Sequence, residues 1–238
     1  MVIDLEPQVA FRVVDLVAVL ANAILGGMVA RELKLDPVGF AVLAMTSGLG
    51  GGVIRDTLLQ QGPPIALTDL SYLLTALTGA LITYLLTLQG RWPHRFLIGA
   101  DMLGLGCWSA TGTAKALTFG LDWLPAVLLG VTTAVGGGMI RDLVVGRTPR
   151  IFGGNTLYAS GALVGSLEMV VCYALGRPNV GMAVAITTVA VITLLAHRHG
   201  WRLPDSEEFG RMMFSSSRSV RRRAKRLVHL RREPDETE

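Results

Sequence analysis

The stretch Ser47–Asp56 reads SGLGGGVIRD: three consecutive glycines, then an arginine and an aspartate, all inside an apolar run. The arrangement returns 86 residues later, at Thr133–Asp142, as TAVGGGMIRD. Extended outward without a gap, that offset aligns Asp15 with Asp101, Gly26 with Gly112, Asp36 with Asp122, Pro63 with Pro149, Tyr72 with Tyr158 and Gly79 with Gly165. About 19 of the 65 positions from 15 to 79 match their partners. Matching Asp, Gly and Pro carry the argument, because any two apolar segments share Leu and Ala. The sequence therefore reads as an internal duplication.

Composition sets the solvent. Of 238 residues 51% are hydrophobic and 17% charged, too apolar for an ordinary soluble domain, and the mean hydropathy of +0.49 points to a bilayer. Residues 1–197 hold about 11 Lys/Arg and about 11 Asp/Glu, so the net charge of +4 lies in the tail. Cys107 and Cys172 sit in apolar runs, where a thiol acts as a small hydrophobe, and give no disulfide framework. The start, MVIDLEPQVAF, lacks the basic beginning and cleavage site of a signal peptide, so the first apolar run is expected to remain as a span.

A hydrocarbon core of about 30 Å takes roughly 20 mostly apolar helical residues. Seven runs qualify, near 12–32, 37–60, 66–88, 95–116, 122–146, 155–175 and 179–197, separated by Pro, Gly or charge at KLDP, QGPP, GRWPHR, GLDW, GRTPR and GRPN. Arg31 and Lys34, Arg91 and Arg95, and Arg147 and Arg150 fall on the side of the basic tail, against little more than Arg177 and Lys115 on the other. Positive loops mark the cytoplasmic side, which predicts a plasma-membrane protein with its N-terminus outside and its C-terminus inside.

Each copy holds three spans, an odd number, so the second copy enters the membrane from the opposite side. The expected fold is an all-α integral membrane protein of seven transmembrane helices: two inverted three-helix repeats plus a seventh helix. The parts are an external N-terminus (1–11), a first repeat (12–88), an inverted second repeat (95–175), the seventh helix (179–197) and a basic cytoplasmic tail (198–238). Inverted repeats commonly build solute paths from interrupted helices that meet near the bilayer centre.

Glycine costs about 1 kcal/mol against alanine inside a helix. Gly50, Gly51 and Gly52 in the second span, and Gly136, Gly137 and Gly138 in the fifth, are therefore expected to interrupt their helices beside such a path. The competing reading is close helix packing, since Gly48 and Gly52 also form G-x-x-x-G. Arg55 and Arg141 lie four residues, about 6 Å, beyond the middle glycines, at the depth of Asp15 and Asp101 respectively. That depth predicts structural ion pairs Asp15–Arg55 and Asp101–Arg141. Asp56 and Asp142 follow the arginines directly, and adjacent helical positions diverge by about 100°, so one charge of each doublet is expected to face the path and the other a partner. Lys115 and Glu168 have Val29 and Ile82 as counterparts and break the symmetry. Snorkelling to the interface would account for Lys115, whereas Glu168 needs a partner or a wet cavity.

Enzyme chemistry has little support. The sequence has no H-E-x-x-H, no G-x-S-x-G, no Walker lysine loop and no clustered Cys/His set, and the glycine runs lack the strand-then-helix setting of a dinucleotide fingerprint. No cofactor or metal is expected. The tail, with SSSRSVRRRAKRLVHLRR, suits an anionic lipid surface rather than nucleic acid.

The doubled GGG-x-IRD at 50–56 and 136–142, TGTAKAL at 111–117 and the three-plus-three-plus-one plan resemble the trimeric intracellular cation (TRIC) channels and their bacterial relatives, also catalogued as glycine transporter domain proteins. The resemblance implies a homotrimer with one pore per protomer, gated around kinked second and fifth helices and passing monovalent cations, chiefly potassium. It makes Gly50–Gly52 and Gly136–Gly138 the hinges, and Lys115 the family's fourth-helix lysine. Vertebrate members follow that lysine with Glu and Val, where this chain reads KAL. The alternative class is a secondary carrier for a small zwitterion such as glycine, to which hinged inverted repeats are equally suited.

Overall fold

The computed structural model describes residues 7–87, 91–152 and 157–201. The tail from 202 onward, the first six residues and the side chains of Arg91, Arg95 and Arg150 lie outside the described residues, and with them most of the charges used to predict orientation. Among the described residues the chain is all-helical: α1 (Pro7–Glu32), α2 (Pro37–Leu59), α3 (Ile65–Thr68), α4 (Leu70–Leu85), α5 (Arg91–Thr118), α6 (Trp123–Val144), α7 (Tyr158–Ala174) and α8 (Pro178–His199), with a 3-10 turn at Arg150–Phe152.

Four of these, α1, α2, α6 and α8, are long and apolar enough to cross a membrane. The third run is two helices rather than one span. Asp69 ends α3 and caps α4, accepting the Ser71 N–H at 3.0 Å. The 16 residues of α4 and 17 of α7 reach only about 24–26 Å.

Packing repeats with the sequence. α1 against α2, α1 against α4 and α2 against α4 have their counterparts in α5 against α6, α5 against α7 and α6 against α7. The two sets join through α1 with α5 and α2 with α6, while α8 lies on α5 and α7. Small residues permit the close approaches. A Cβ added at Gly26 would meet the Leu43 carbonyl oxygen at 2.5 Å, and one at Gly112 the Thr133 Oγ1 at 2.7 Å.

The duplicated polar residues begin and end helices. Asp36 caps α2 by accepting the Gly39 N–H at 2.7 Å, and Asp122 caps α6 by accepting the Trp123 N–H at 2.7 Å. Arg31, at the end of α1, donates to the Thr83 and Tyr84 carbonyls at 3.0 and 2.7 Å, taking up acceptors left open where α4 ends.

Chain reversals fall at equivalent places in left-handed backbone: Lys34 (φ 54°) beside Gly120 (φ 80°), and Gln60 (φ 52°) beside Gly146 (φ 69°). The first copy meets with side chains a conformation that the second meets with glycine. That conformation costs a non-glycine residue about 1–2 kcal/mol. Gln60→Gly is therefore expected to stabilise the fold by about 1 kcal/mol. Gln60→Ala is expected to gain nothing; thermal unfolding of both variants in one detergent checks the difference.

Candidate functional site

The helical hydrogen-bond pattern runs unbroken through both glycine triplets. The expected interruption is thus replaced by a crossing. α2 and α6 touch at the triplets, and their tight packing removes any need for bared backbone. Ile54 Cδ1 lies over Gly136 and Ile140 Cδ1 over Gly50, 3.1 and 2.8 Å from where a Cβ would stand. Four residues forward on α2 correspond to four residues backward on α6, so the helices cross with opposite polarity.

Within each triplet the three positions do different things. A Cβ on the middle glycine, Gly51, would run into the Thr133 carbonyl oxygen, and one on Gly137 into the Ser47 carbonyl oxygen. The first glycines, Gly50 and Gly136, receive the isoleucines. The third glycines face room: a Cβ at Gly52 would meet only Arg55 Nη2 at 3.7 Å, and one at Gly138 only Arg141 Nη2 at 3.6 Å. Packing and an open face therefore coexist in one motif.

That room belongs to two small cavities. The first, about 20 Å³, is lined among others by Asp15, Gly52, Arg55, Tyr72 and Trp108. The second, about 10 Å³, is lined by Gly138, Arg141, Asp142, Pro149 and Tyr158 among others. Gly52, Arg55 and Tyr72 map onto Gly138, Arg141 and Tyr158 at the 86-residue offset. Each lies beyond the crossing on its own helix, and because α2 and α6 run oppositely, the cavities lie at opposite ends. Each has room for about one water molecule. A much larger groove of about 660 Å³ between α1, α5 and α8 is walled by groups such as Val17, Ala18, Leu103, Gly104 and Ile186 and offers an ion no polar partner.

The charged residues correct the expected pairing. Arg55 Nε donates to Asp56 Oδ1 at 2.8 Å, and Arg141 Nε to Asp142 Oδ1 at 3.0 Å. Each arginine is paired with its neighbour in sequence, although adjacent positions diverge, because the long arginine stem folds back across one helical step. Asp15 instead accepts the Tyr72 hydroxyl at 2.8 Å and the Trp108 indole N–H at 2.9 Å, and Asp101 accepts the Tyr158 hydroxyl at 3.1 Å. Asp15 and Arg55 still line one cavity.

Lys115 is no free snorkeller: its Nζ reaches Asp56 Oδ1 at 2.7 Å, from α5 to α2. Asp56 Oδ2 also accepts the Ile65 N–H at 3.0 Å. Both arginines are about 4% exposed, so these charges are held inside the bundle. Glu168 Oε2 and Ser47 Oγ are buried without a hydrogen-bond partner among the described residues. Tyr72 and Tyr158 stood in the repeat without a role, and Trp108 went unnoticed. Its signal is its position seven residues before Lys115, two turns away on the same face of α5, with Asn22 as its counterpart.

An all-helical bundle with four helices long and apolar enough to cross a membrane defines the class: an integral membrane protein. The sequence pattern of the family described as Glycine transporter matches residues 12–87 and 98–174, and the chain belongs to that family. A UPF0126 membrane protein of Deinococcus radiodurans is 37% identical over 153 residues, 64% of this chain and 71% of its own length. The UPF0126 inner membrane protein YadS of Escherichia coli (strain K12) is 34% identical over 160 residues, 67% of this chain and 77% of its own. Among solved structures, one presented as the structural basis for conductance through TRIC cation channels superposes with a TM-score of 0.76 at 30% identity, covering 82% of this chain and 97% of that one. The TRIC trimeric intracellular cation channel orthologue from Rhodobacter sphaeroides gives 0.74 at 29%, covering 81% and 99%. Family and fold are those of channel-type membrane proteins.

Proposed function

We propose that the chain is a monovalent cation channel, permeable to potassium, with one pore in each protomer of a homotrimer. The observation that carries this reading is the pair of equivalent small cavities, each lined by an arginine and a tyrosine, one at each end of the Gly50–Gly52 and Gly136–Gly138 crossing. The cavities are the two halves of the path, and the touching backbones at Gly51 and Gly137 keep them apart in this conformation. Opening is a bend or separation of α2 and α6 at the triplets, which joins the cavities. Arg55, Asp56, Arg141, Asp142 and Lys115 set the electrostatics of the path.

The layout is two inverted repeats, residues 12–88 and 95–175, followed by a seventh spanning helix and a basic tail that rests on anionic lipid. The N-terminus lies outside and the C-terminus in the cytoplasm. The start points of the two matched family segments, 12 and 98, are separated by the repeat offset, which supports this division. A carrier for glycine needs a chamber for five heavy atoms, whereas each cavity here has room for about one water.

Purified protein in planar bilayers under a potassium chloride gradient tests the reading. Discrete unitary currents that reverse close to the potassium equilibrium potential are expected. Saturable glycine uptake into liposomes without unitary currents would overturn the channel in favour of the carrier.

A further inference from the structure

Two cations and one carboxylate meet in the last turn of α2. Arg55 Nε and Lys115 Nζ both approach the same oxygen of Asp56, Oδ1, at 2.8 and 2.7 Å, so one negative charge is shared between two positive ones. Asp15 stands close by with its charge unspent. It lines the first cavity together with Gly52, Arg55, Tyr72 and Trp108, and among the described residues no lysine or arginine forms an ion pair with it. Arg12, one turn earlier on α1, is drawn off to Asp69 at 2.7 Å. The groups that hold Asp15 are neutral: the Tyr72 hydroxyl donates to Oδ2 at 2.8 Å and the Trp108 indole N–H to Oδ1 at 2.9 Å. Such donors orient a carboxylate without cancelling its charge.

We propose that Asp15 is the charge-selecting residue of the first cavity, the carboxylate that makes this end of the path prefer a monovalent cation to an anion. The cavity has room for about one water molecule, so an ion passing it sheds most of its hydration and meets the fixed charges at short range. With Arg55 in the wall and Lys115 behind it, Asp56 alone leaves a surplus positive charge that repels a cation and welcomes chloride. Asp15 cancels that surplus. It is also bound to no cation, so its oxygens are the negative site left for a permeant one. Tyr72 from α4 and Trp108 from α5 are positioning residues that aim it. The inference rests on the channel reading and names the residue that gives that channel its ion preference.

Full-length protein in planar bilayers under a potassium chloride gradient reads this preference as a permeability ratio, which depends on the reversal potential and not on how often the path opens. D15N is expected to lower the ratio of potassium to chloride on the order of tenfold and to move the reversal toward the chloride equilibrium potential. D15E keeps the charge and is expected to keep the ratio. Y72F and W108F remove a donor but no charge, and are expected to keep it as well. K115M alone leaves Asp15 in surplus and is expected to raise the ratio, whereas D15N/K115M removes one charge of each sign and is expected to return it to that of the unaltered chain. That return is the mark of charge balance, since a purely structural loss at Asp15 is not mended by a second substitution.

An unchanged ratio in D15N, or a fall in Y72F and W108F as large as its own, would overturn the role of Asp15 and leave the channel standing. If D15N fails to reconstitute, K115M against D15N/K115M carries the same comparison, and equal ratios in those two would overturn it. Absence of unitary currents from the unaltered chain would sink the channel reading, and the inference with it.

Discussion

Replacing Gly51 or Gly137 by alanine is expected to destabilise the protein in detergent by about 1–3 kcal/mol or more, despite the roughly 1 kcal/mol that alanine gains in helix preference. The added methyl has nowhere to go. At Gly51 it meets the Thr133 carbonyl, and at Gly137 the Ser47 carbonyl, and a carbonyl within a helix cannot swing aside as a side chain does. The helices must part, and with them the joint between the halves. Gly52→Ala and Gly138→Ala meet only the far end of an arginine and are expected to retain or slightly raise stability. Helix preference alone would make all four substitutions stabilising. Thermal unfolding of the four variants decides the matter, and a normally stable Gly51→Ala would remove the crossing as the reason for the motif.

Asp56→Asn is expected to cost more, about 3–5 kcal/mol, the usual cost of stripping a buried ion pair of one partner. Asp56 is 5% exposed and holds Arg55, Lys115 and the Ile65 N–H with its two oxygens. An amide leaves the buried Arg55 and the partly exposed Lys115 facing each other without the carboxylate between them. Adding Lys115→Met is expected to recover part of the loss by removing one of those cations, the signature of a shared carboxylate. If the double variant were as unstable as the sum of the singles, Lys115 and Asp56 would not be coupled. Asp142→Asn is expected to lose less, because Val29 stands where Lys115 would be.

The helical plan was largely legible because apolar runs, prolines and glycines punctuate the chain, and because the repeat supplied a second reading of each element. Asp36 and Asp122 show how far that goes: matched in sequence, they cap α2 and α6 alike. The break at Asp69 was missed because a four-residue helix leaves no periodic signature, and only the cap bond reveals it. The glycine triplets stand out in the sequence, yet their division of labour depends on which carbonyl lies opposite, a property of the crossing. The pairing of charges failed for a different reason. Depth along a helix identified which groups share a layer, but an arginine stem can satisfy its own neighbour before it reaches another helix, and phenol and indole donors compete for the aspartates.

The opposed crossing of α2 and α6 has a consequence for direction. An ion arriving from either face would meet the same succession of tyrosine, arginine and glycine, so the duplicated frame by itself has no preferred sense of flow, much as a palindrome reads alike from both ends. Whatever rectification the protein possesses must come from residues that break the likeness. Trp108 and Lys115 break it at one end of the crossing. A current–voltage curve bent at one polarity would be the electrical trace of two side chains on a single helix.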